Sequence, residues 1–386
     1  MSDKVEKEYF WHWLHGLTGI TQKEKEELIH FCPKAQEWYE ASCRKQVKEF
    51  MGPVCEASEK KAERLKWIQS VLESDEEREK LKKSYDEIKK TEICMVCRES
   101  EQYPKRLLHI FLPPLMLYYL GKLPEEEIPS LAVIGARNCS VYGEEIASEF
   151  SRAVGGAGIQ IISGMARGID AAAGRAAVNT VGGAYAVLGS GVDVCYPREN
   201  KRLYGQLMER GGIISEEIPG TAPVSWNFPK RNRIISGLSD GVFVVEAREN
   251  SGSLITVSYA LEQGKDIYAV PGRIYEKLSE GTNRLIQEGA YLVREPEDIL
   301  QGFSEKYGYS KLKSDEKNEK FEKKPKLLLA SREKIVYACL SLRPKHMEEL
   351  QEETGISLPE LSGLLFDMEM KHYIKQPMKN YFIIQS

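Results

Sequence analysis

The sequence predicts an α/β protein whose main domain is an extended, Rossmann-like, doubly wound parallel sheet over residues 91–302. From residue 130 onward, short apolar runs alternate with helical patterns, which is the rhythm of strand–helix–strand units. Nearly every residue within each run is apolar, as expected for strands that are covered by helices on both faces. Glycine-rich turns follow these runs, at the edge where open α/β sheets bind their ligands.

The strands and helices of this domain follow one another in a regular order. The predicted strands are 131–137, 160–166, 185–191, 212–217, 241–247 and 266–272, with 290–293 as a candidate last strand. The predicted helices are 142–154, 169–178, 200–208 and 254–263. Two further strands, near 93–97 and 115–119, precede this series and form an annex to the sheet.

Residues 1–90 are predicted to form a separate helical module, because this segment contains almost no β-strand signal. One face of its first helix is apolar and consists of Phe10, Trp11, Leu14 and Leu17. Thr21 follows a Gly-Ile turn and is placed to cap a second helix. The pattern is typical of SAM-like or helix–hairpin–helix modules, and 57–90 adds one or two amphipathic helices.

The C-terminal part of the sequence is predicted to be a charged linker, 303–328, followed by a small domain, 329–386. Helical patterns near 335–339, 346–354 and 357–372 precede two short strands near 374 and 381–384. Three helices followed by a β-ribbon predict a winged-helix domain. Its third helix carries Glu360, Asp367 and Glu369 but a single lysine, so we expect it to contact protein rather than DNA.

Composition and charge restrict the classes of function. The 386-residue chain is 42% hydrophobic, enough for a sizeable core, and has a net charge of −4. Because the chain is not basic overall, nucleic-acid binding would need a local cationic site. The first residues lack a secretory signal, and the longest apolar patch, 112–120, is too short to span a bilayer. With eight scattered cysteines and no dense disulfide pattern, we expect a cytoplasmic protein without a membrane partner.

Basic residues follow the predicted strands at the edge where ligands bind. They are Arg137, Arg167, Arg198, Lys201, Arg202, Lys230, Arg231 and Arg233. Ser251, Gly252 and Ser253 precede a helix whose first N–H groups lack intrahelical partners, which is a common site for a phosphate or carboxylate. Any single surface arginine is unremarkable, but the coincidence at one sheet edge predicts an anion site.

Dinucleotide, P-loop, metal and acid–base sites are not supported by the sequence. Arg137 stands where G-x-G-x-x-G requires its second glycine, and no Walker A motif occurs. The six histidines lie outside the strand–helix series that begins at residue 130. Cys94 and Cys97 lack a second cysteine pair at zinc spacing. The candidate carboxylates, for which structural roles such as helix capping are favoured, are Asp170, Asp193, Glu216, Glu217 and Glu246. We expect no catalytic residue, metal or cofactor.

Single-stranded nucleic acid needs cationic groups for its phosphates and aromatic rings for its bases. Phe228 is an aromatic residue close to Arg231 and Asn232, in a segment predicted as a loop that enters a helix. Its ring could stack a base, while arginine grips phosphate and asparagine pairs with a base edge. The alternative, in which Phe228 packs under the sheet edge and Pro229 sets a turn, is equally consistent with the residues alone.

Taken together, the motifs resemble those of the DNA-processing protein A (DprA/Smf) family. They are, in order, VIGARNCSVYG, SGMARGIDAAAGRAA, AVLGSGVDVCYPREN, FPKRNRIISGLS, SGSLIT, AVPG and GTNRLIQEGA. Their order and spacing resemble the family pattern across 130–293. The YPKRLL…PPLMLYYLG segment, the N-terminal helical module and the C-terminal winged helix also fit, so the resemblance covers nearly the full chain.

This resemblance implies a recombination mediator that binds single-stranded DNA, forms a homodimer through the Rossmann-like domain and loads the RecA recombinase, without chemical catalysis. In naturally transformable bacteria, the role implied is the processing of incoming DNA. By motif, Arg137 and Arg231 would grip phosphate and Phe228 would stack a base. Backbone or hydroxyl donors would come from Ser163, Gly164, Ser251, Gly252 and Ser253. Charge at the pocket rim would come from Lys201, and the candidate set is completed by Arg167, Lys230 and Asn232.

The chain departs from the family pattern at two places. Ala173-Gly174 replaces an Ala-His pair, and 224–226 lacks the basic residue that some members place before the stacking phenylalanine. The second departure predicts a weaker pocket. Two rival functions remain open: a nucleotide-derivative hydrolase, whose PGGxGTxxE loop is not matched by EARENSGSLIT, and a protein scaffold.

Overall fold

The computed structural model describes residues 7–50, 59–307, 331–341 and 343–384. The described chain opens with helices α1 (Lys7–Gly16), α2 (Gln22–Phe31), α3 (Ala35–Cys43), α4 (Val47–Phe50), α5 (Glu59–Leu72) and α6 (Asp75–Ile88). Thr21 caps α2, because its side chain accepts a hydrogen bond from the Glu24 N–H while the Glu24 carboxylate accepts one from the Thr21 N–H.

These N-terminal helices pack directly on the sheet that follows them. Trp11, Trp13 and Trp38 are buried, and the same apolar cluster continues through Tyr118 into the sheet. His12 Nδ1 and the Tyr118 hydroxyl lie 2.7 Å apart. The domain boundary predicted near residue 90 therefore separates helices from strands, but the hydrophobic core runs across it.

One large sheet forms the centre of the molecule. Its strands are β1 (Cys94–Cys97), β2 (Met116–Gly121), β3 (Ser130–Ile134), β4 (Gln160–Ser163), β5 (Ala184–Leu188), β6 (Gly212–Ser215), β7 (Gly241–Val244), β8 (Asp266–Ala269) and β9 (Tyr291–Leu292). Their spatial order is β1-β2-β6-β5-β4-β3-β7-β8-β9. The pairs β1–β2 and β2–β6 are antiparallel, and the strands from β6 through β9 are parallel. The predicted α/β class with a mostly parallel sheet is confirmed.

Helices cover both faces of the sheet. They are α7 (Val141–Gly156), α8 (Ile169–Ala177), α9 (Lys201–Arg210), α10 (Asn227–Gly237), α11 (Ser253–Glu262), α12 (Glu280–Gln287) and α13 (Pro296–Tyr307). Alternate residues of β3 enter different apolar layers: Leu131 and Val133 join one cluster, and Ala132 and Ile134 join the other. Burial on both faces explains why the strands read as continuous apolar runs.

The parallel strands end earlier than the sequence predicted. The strand β3, predicted to reach residue 137, ends at Ile134, and Gly135 begins the loop. A Cβ at Gly135 would lie 2.6 Å from Cγ1 of Ile169, the first residue of α8, so the backbone leaves the strand where the start of α8 packs against it. The residues beyond the strand ends, including Arg137, are thereby placed in the loops of the ligand-binding edge.

The segment that contains Phe228 and Arg231 is helical, and its prediction as a loop was wrong. Helix α10 begins at Asn227, so both residues lie in its first two turns. Pro229 falls in the first turn, where the backbone N–H has no intrahelical acceptor and proline is tolerated. Its presence therefore marks the start of a helix rather than a turn between elements.

The predicted linker at 303–328 begins inside a helix. Helix α13 continues to Tyr307, and Phe303 is 1% exposed in the core of the sheet domain. Residues 308–328 of the predicted linker lie outside the described residues. Within the described ranges, no helix is long and apolar enough to cross a bilayer.

The C-terminal region forms a separate apolar cluster. It contains α14 (Ser331–Cys339), β10 (Lys345–His346), α15 (Met347–Thr354), α16 (Leu358–Met370), β11 (Ile374–Met378) and β12 (Tyr381–Ile384). The strands form an antiparallel sheet in the order β10-β12-β11, in which the two-residue strand β10 was not predicted. Val336, Leu350 and Leu361 are fully buried between the helices and this sheet.

Candidate functional site

A cleft of about 590 Å³ opens at the carboxyl ends of the adjacent strands β3 and β7. The chain builds β4, β5 and β6 on one side of β3 and then returns to place β7 on the other side. Such a switch point separates the loops on either side, and open α/β sheets bind ligands in the space that results. The loops after β3 and β7 and the starts of α10 and α11 line this cleft.

The loop after β3 presents Arg137 to solvent. Its backbone is anchored by the neighbouring strand end, because the Ala136 N–H donates to the Glu246 carbonyl at 2.8 Å. The Glu246 carboxylate, which is 6% exposed, accepts from the Ser140 N–H at 2.8 Å and from the Ser140 hydroxyl. Glu246 thus holds the loop and the start of α7. Among the described residues Arg137 forms no ion pair, which leaves its guanidinium available to a ligand.

Phe228 lies on the wall of the cleft opposite this loop. The Arg137 guanidinium carbon lies 5.4 Å from the centroid of the Phe228 ring, within the range of a cation–π contact. The Tyr196 ring is 5.6 Å from the Phe228 ring at an interplanar angle of 37°. Phe228 is half-buried, so part of the ring remains open to the cleft. The sequence left two roles open for Phe228, stacking a base or packing under the sheet edge. The structure combines features of both, because the ring packs against Tyr196 and also lines the cleft.

Arg231 lies at the base of the cleft and is 6% exposed. Its guanidinium donates to the Gly164 carbonyl at 2.9 Å and to the Val187 carbonyl. A Cβ at Gly164 would lie 2.5 Å from Arg231 Nη2, so glycine permits this contact. Burial lowers the pKa of Arg231 to about 10, although the neighbouring Asp170 opposes that shift. Arg231 therefore connects α10 to the ends of β4 and β5.

Asp170 is a buried carboxylate beside Arg231. Its Oδ2 accepts from the Gly164 N–H at 3.0 Å, so Asp170 fixes the loop after β4. The expected helix-capping role is wrong, because Gly168 stands at the N-cap of α8 and no side chain in the described part of the chain caps the helix. Burial raises the pKa of Asp170, and the charge of Arg231 partly offsets the rise. Of the residues that line the cleft, Asp170 is acidic while Arg137, Arg231 and Arg248 are basic. The cleft consequently favours an anionic ligand.

The start of α11 forms the far wall of the cleft. The Ser251 and Ser253 hydroxyls lie 2.7 Å apart, and the Ser253 N–H points to Ser251 Oγ at 3.4 Å. The Asn232 amide donates to the Gly252 carbonyl at 3.3 Å, which joins α10 to this turn. Backbone N–H groups in the first turn of a helix lack intrahelical acceptors and carry partial positive charge. This wall therefore adds donors for an anion.

The structure brings together part of the predicted site. The predicted residues that line the cleft are Arg137, Phe228, Arg231, Asn232, Ser251, Gly252 and Ser253. The predicted residues outside its lining are Ser163, Gly164, Arg167, Lys201 and Lys230. Arg167 pairs with Glu199 at 2.8 Å. Lys230 pairs with Glu216 and Glu217 at 3.2 and 3.0 Å, and Lys201 is exposed.

Sequence reasoning missed several residues that line the cleft, namely Asn138, Tyr196, Arg248 and Asn250. Arg248 had a usable signal, because it follows β7 at the same sheet edge where Arg137 follows β3. Tyr196 had a weaker signal, which is its position in the loop after β5 beside a proline. The polar residues Asn138 and Asn250 have no distinguishing pattern.

The fold and the cleft together define the class of protein. It is an α/β protein with a cationic cleft at the switch point of a mostly parallel sheet. The family model of DNA recombination-mediator protein A matches residues 94–304. The chain therefore belongs to this family, as the sequence motifs indicated. The matched region contains the whole cleft, whereas all of α1–α6 and the C-terminal region from α14 onward lie outside it.

Curated relatives match the same part of the chain. Protein Smf of Escherichia coli K12 is 46% identical over 208 residues, which cover 54% of this chain and 56% of that protein. DNA processing protein DprA of Streptococcus pneumoniae R6 is 44% identical over 201 residues, covering 52% of this chain and 71% of that protein. The match thus spans little more than half the length of the E. coli relative.

Two solved structures resemble this fold. DprA from Streptococcus pneumoniae aligns with a TM-score of 0.64 at 31% identity and covers 77% of this chain and 98% of that chain. DNA processing protein A from Helicobacter pylori, described with a single-stranded DNA binding mode, aligns with a TM-score of 0.50 at 26% identity. It covers 55% of this chain and 96% of its own.

Proposed function

We propose that this chain binds single-stranded DNA in the cleft between the loops that follow β3 and β7. The observation that carries this proposal is the Arg137 guanidinium, 5.4 Å from the Phe228 ring at an open cationic cleft. Single-stranded DNA alternates a phosphate with a base, and a cation beside an aromatic face suits that repeat. The binding mode described for the Helicobacter pylori protein supports the choice of ligand.

The proposed contacts differ among the residues of the cleft. Arg137 binds a phosphate and Phe228 stacks a base. Hydroxyl, amide and backbone donors come from Asn232, Ser251, Gly252 and Ser253. Arg231 contributes positive charge from the base of the cleft, where its hydrogen bonds to Gly164 and Val187 hold the floor in place.

The remaining predicted residues act at a distance in this proposal. Ser163 and Gly164 fix the loop after β4, because the Ser163 hydroxyl contacts the Asp170 carbonyl at 3.4 Å. Lys201 is exposed and adds positive charge at the pocket rim, whereas Arg167 is exposed but paired with Glu199. Lys230 is held by Glu216 and Glu217, so its charge is largely compensated.

We further propose that the chain acts as a recombination mediator, which loads the RecA recombinase onto incoming or exposed single strands without chemical catalysis. Membership in the family supports this role. A homodimer formed through the α/β domain is part of the proposal. It is supported by the outermost strand β9, where Tyr291 is 58% and Leu292 46% exposed along an unpaired edge.

The C-terminal region is proposed to be a winged-helix domain that contacts protein. Its three helices and three-stranded antiparallel sheet support the winged-helix assignment. Helices α15 and α16 contain glutamate and aspartate but no lysine or arginine. A helix of this charge would be repelled by a phosphate backbone, so a protein partner suits it better.

Replacing Arg137 with alanine is expected to weaken single-strand binding about tenfold or more, because one charge-assisted contact to phosphate is lost. Fluorescence anisotropy with labelled oligo-dT at several salt concentrations measures the effect. The slope of log affinity against log salt should shrink by about 0.7, the value for one phosphate on a single strand. The matched control is Arg152→Ala, which removes an exposed arginine on α7 outside the cleft lining. Equal affinity of Arg137→Ala and wild type would contradict the proposed site.

Replacing Phe228 with alanine is expected to reduce single-strand affinity by about 1–3 kcal/mol while leaving the salt slope nearly unchanged, because base stacking involves no counterion release. The same anisotropy titration checks both quantities. Phe228→Leu is the matched control, since leucine keeps apolar packing against Tyr196 but removes the aromatic face. If the leucine variant binds like wild type, Phe228 acts by packing and the stacking assignment is wrong.

A further inference from the structure

Trp226 is a large aromatic residue at the rim of the cleft that the proposed contacts do not use. It stands at the N-cap position of α10 and is 71% exposed. Its neighbours in the chain, Pro223, Ser225 and Phe228, all line the cleft. Within the described parts of the chain, the Trp226 side chain makes no hydrogen bond and no ring contact. An exposed aromatic ring that no other side chain covers thus lies directly beside the proposed DNA site.

The rings of the other tryptophans are buried or covered. Trp11, Trp13 and Trp38 are at most 2% exposed in the core of the N-terminal helices. Trp67 is 39% exposed, and its ring is covered by the Arg64 guanidinium at 4.4 Å. Exposed tryptophan is a feature of binding surfaces, because the large apolar ring gains most from being covered.

The size of the cleft implies that a DNA strand extends beyond it. A volume of about 590 Å³ falls within the range of pockets that enclose a single drug-sized ligand. Single-strand sites of other proteins engage about 4–16 nucleotides. A strand anchored at Phe228 must therefore continue across the rim, and the 223–228 segment forms one wall of that rim.

Charge does not provide the contact on this side of the rim. The segment 221–227 contains no lysine or arginine, whereas Arg137 and Arg248 lie on the loops that follow β3 and β7. Stacking on an aromatic ring is tolerant of base sequence and needs no neighbouring cation. The exposed Trp226 ring offers such a face.

We propose that Trp226 is a second base-stacking platform, which carries the strand out of the cleft from Phe228 over the start of α10. This inference rests on the proposed function, because it requires a single strand in the cleft. It assigns the 223–228 segment two stacking positions, with Phe228 inside the cleft and Trp226 outside it. Trp226 would consequently affect only strands long enough to leave the cleft.

The test compares oligo-dT of about 4 and about 16 nucleotides, the limits of the site sizes above, by fluorescence anisotropy. Trp226→Ala should bind the longer strand about tenfold more weakly than wild type, with an unchanged salt slope and unchanged affinity for the shorter strand. Trp226→Phe should restore most of the affinity, because phenylalanine also offers a stacking face.

Intrinsic fluorescence gives an independent readout of the same contact. The longer oligo-dT should quench wild-type emission, since a stacked base lies against the exposed indole ring. Trp67→Phe, which removes the other tryptophan that is more than a third exposed, should retain the quench, and Trp226→Phe should lose it. Persistence of the full quench in Trp226→Phe would overturn the inference.

The outcomes separate this inference from the proposed function. If Trp226→Ala binds the longer strand like wild type while Arg137→Ala binds weakly, the platform is wrong and the DNA site stands. If wild type binds neither strand, the proposed function fails and the platform fails with it. If Trp226→Ala changes the sedimentation mass without changing affinity per site, Trp226 packs against a second copy of the chain, which also overturns the inference.

Discussion

Replacing Arg231 with alanine is expected to lower the free energy of unfolding by about 3–5 kcal/mol, as when one partner of a buried ion pair is removed. Arg231 is 6% exposed and donates to the carbonyls of Gly164 and Val187. It also provides the countercharge for buried Asp170. Without the guanidinium, the Asp170 carboxylate loses its countercharge and the carbonyls of Gly164 and Val187 lose a donor.

Urea unfolding followed by circular dichroism measures this effect as a shift of the transition midpoint. Arg152→Ala is the matched control, and we expect it to stay within about 0.5 kcal/mol of wild type because its side chain is exposed. The double variant Arg231→Ala/Asp170→Asn should recover part of the loss, since the uncompensated charge is gone. An Arg231→Ala protein as stable as wild type would show that Arg231 does not brace the floor of the cleft.

The different environments of Arg137 and Arg231 show where sequence reasoning reaches its limit. Both arginines were predicted at the ligand-binding edge, and both line the cleft, because the alternation of strands and helices determines which ends of the strands meet. Burial depends instead on contacts between distant parts of the chain. Gly164 and Val187 come close to Arg231 only once β4 and β5 pair in the fold. No local sequence pattern around residue 231 predicts these contacts.

The start of α10 illustrates a second limit, which is local. One of the two interpretations left open gave Pro229 a turn-setting role, although proline is equally suited to the first turn of a helix. Ser225 and Asn227 are of types that often cap helices, but the N-cap position falls on Trp226 between them, which makes no capping hydrogen bond. Because the helix does not use its cap-type residues as caps, sequence alone could not choose between the two structures.

The N-terminal helices show the reverse case, in which local structure was predictable but its packing was not. The apolar residues of α1 and the cap at Thr21 are short-range features: Phe10, Trp11 and Leu14 are buried on the helix, Leu17 is buried just beyond its end, and Thr21 caps α2. The contact between His12 and Tyr118 joins residues more than a hundred positions apart. The apolar pattern of β2 indicates that Tyr118 is covered, but it cannot indicate by what.

Glu216 is the site of the second large expected effect. Its carboxylate is 2% exposed, Arg233 Nη2 donates to its two oxygens at 2.7 and 2.8 Å, and Lys230 Nζ lies 3.2 Å away. Burial alone would raise the pKa of Glu216, but the charges of Arg233 and Lys230 outweigh it and lower the pKa to about 2. Lys25 and His15 bring the N-terminal helices into the same electrostatic cluster.

Replacing Glu216 with glutamine is expected to lower the free energy of unfolding by about 3–5 kcal/mol near neutral pH, because Arg233 is left buried without its countercharge. Urea unfolding again provides the measurement. Glu217→Gln is the matched control: this neighbour also contacts Lys230, at 3.0 Å, but its side chain is 19% exposed. We expect it to cost about 1 kcal/mol or less. Similar losses in the two variants would contradict the central position of Glu216.

The pH dependence of stability provides a second test of this assignment. The folded pKa of Glu216, about 2, lies below its ordinary value of 4.5, so the unfolded chain binds the proton more readily between these values. The stabilisation from Glu216 is therefore complete above about 4.5 and is lost as the pH falls toward 2. Between pH 4.5 and pH 2, the urea midpoint of unfolding should therefore fall less in Glu216→Gln than in wild type.

His15 affects stability over a higher pH range than Glu216 does. Burial, together with the charge of Lys25, lowers the pKa of His15 from 6.5 to about 3, so its neutral form is favoured in the folded state. The unfolded chain binds the proton between these values, so the contribution of His15 should lower stability below about 6.5 in both wild type and Glu216→Gln. The two proteins should then diverge only below about 4.5, where Glu216 titrates in the unfolded wild type. If wild type and Glu216→Gln lose stability in parallel throughout the acid range, Glu216 is not the residue whose protonation destabilises this cluster at low pH.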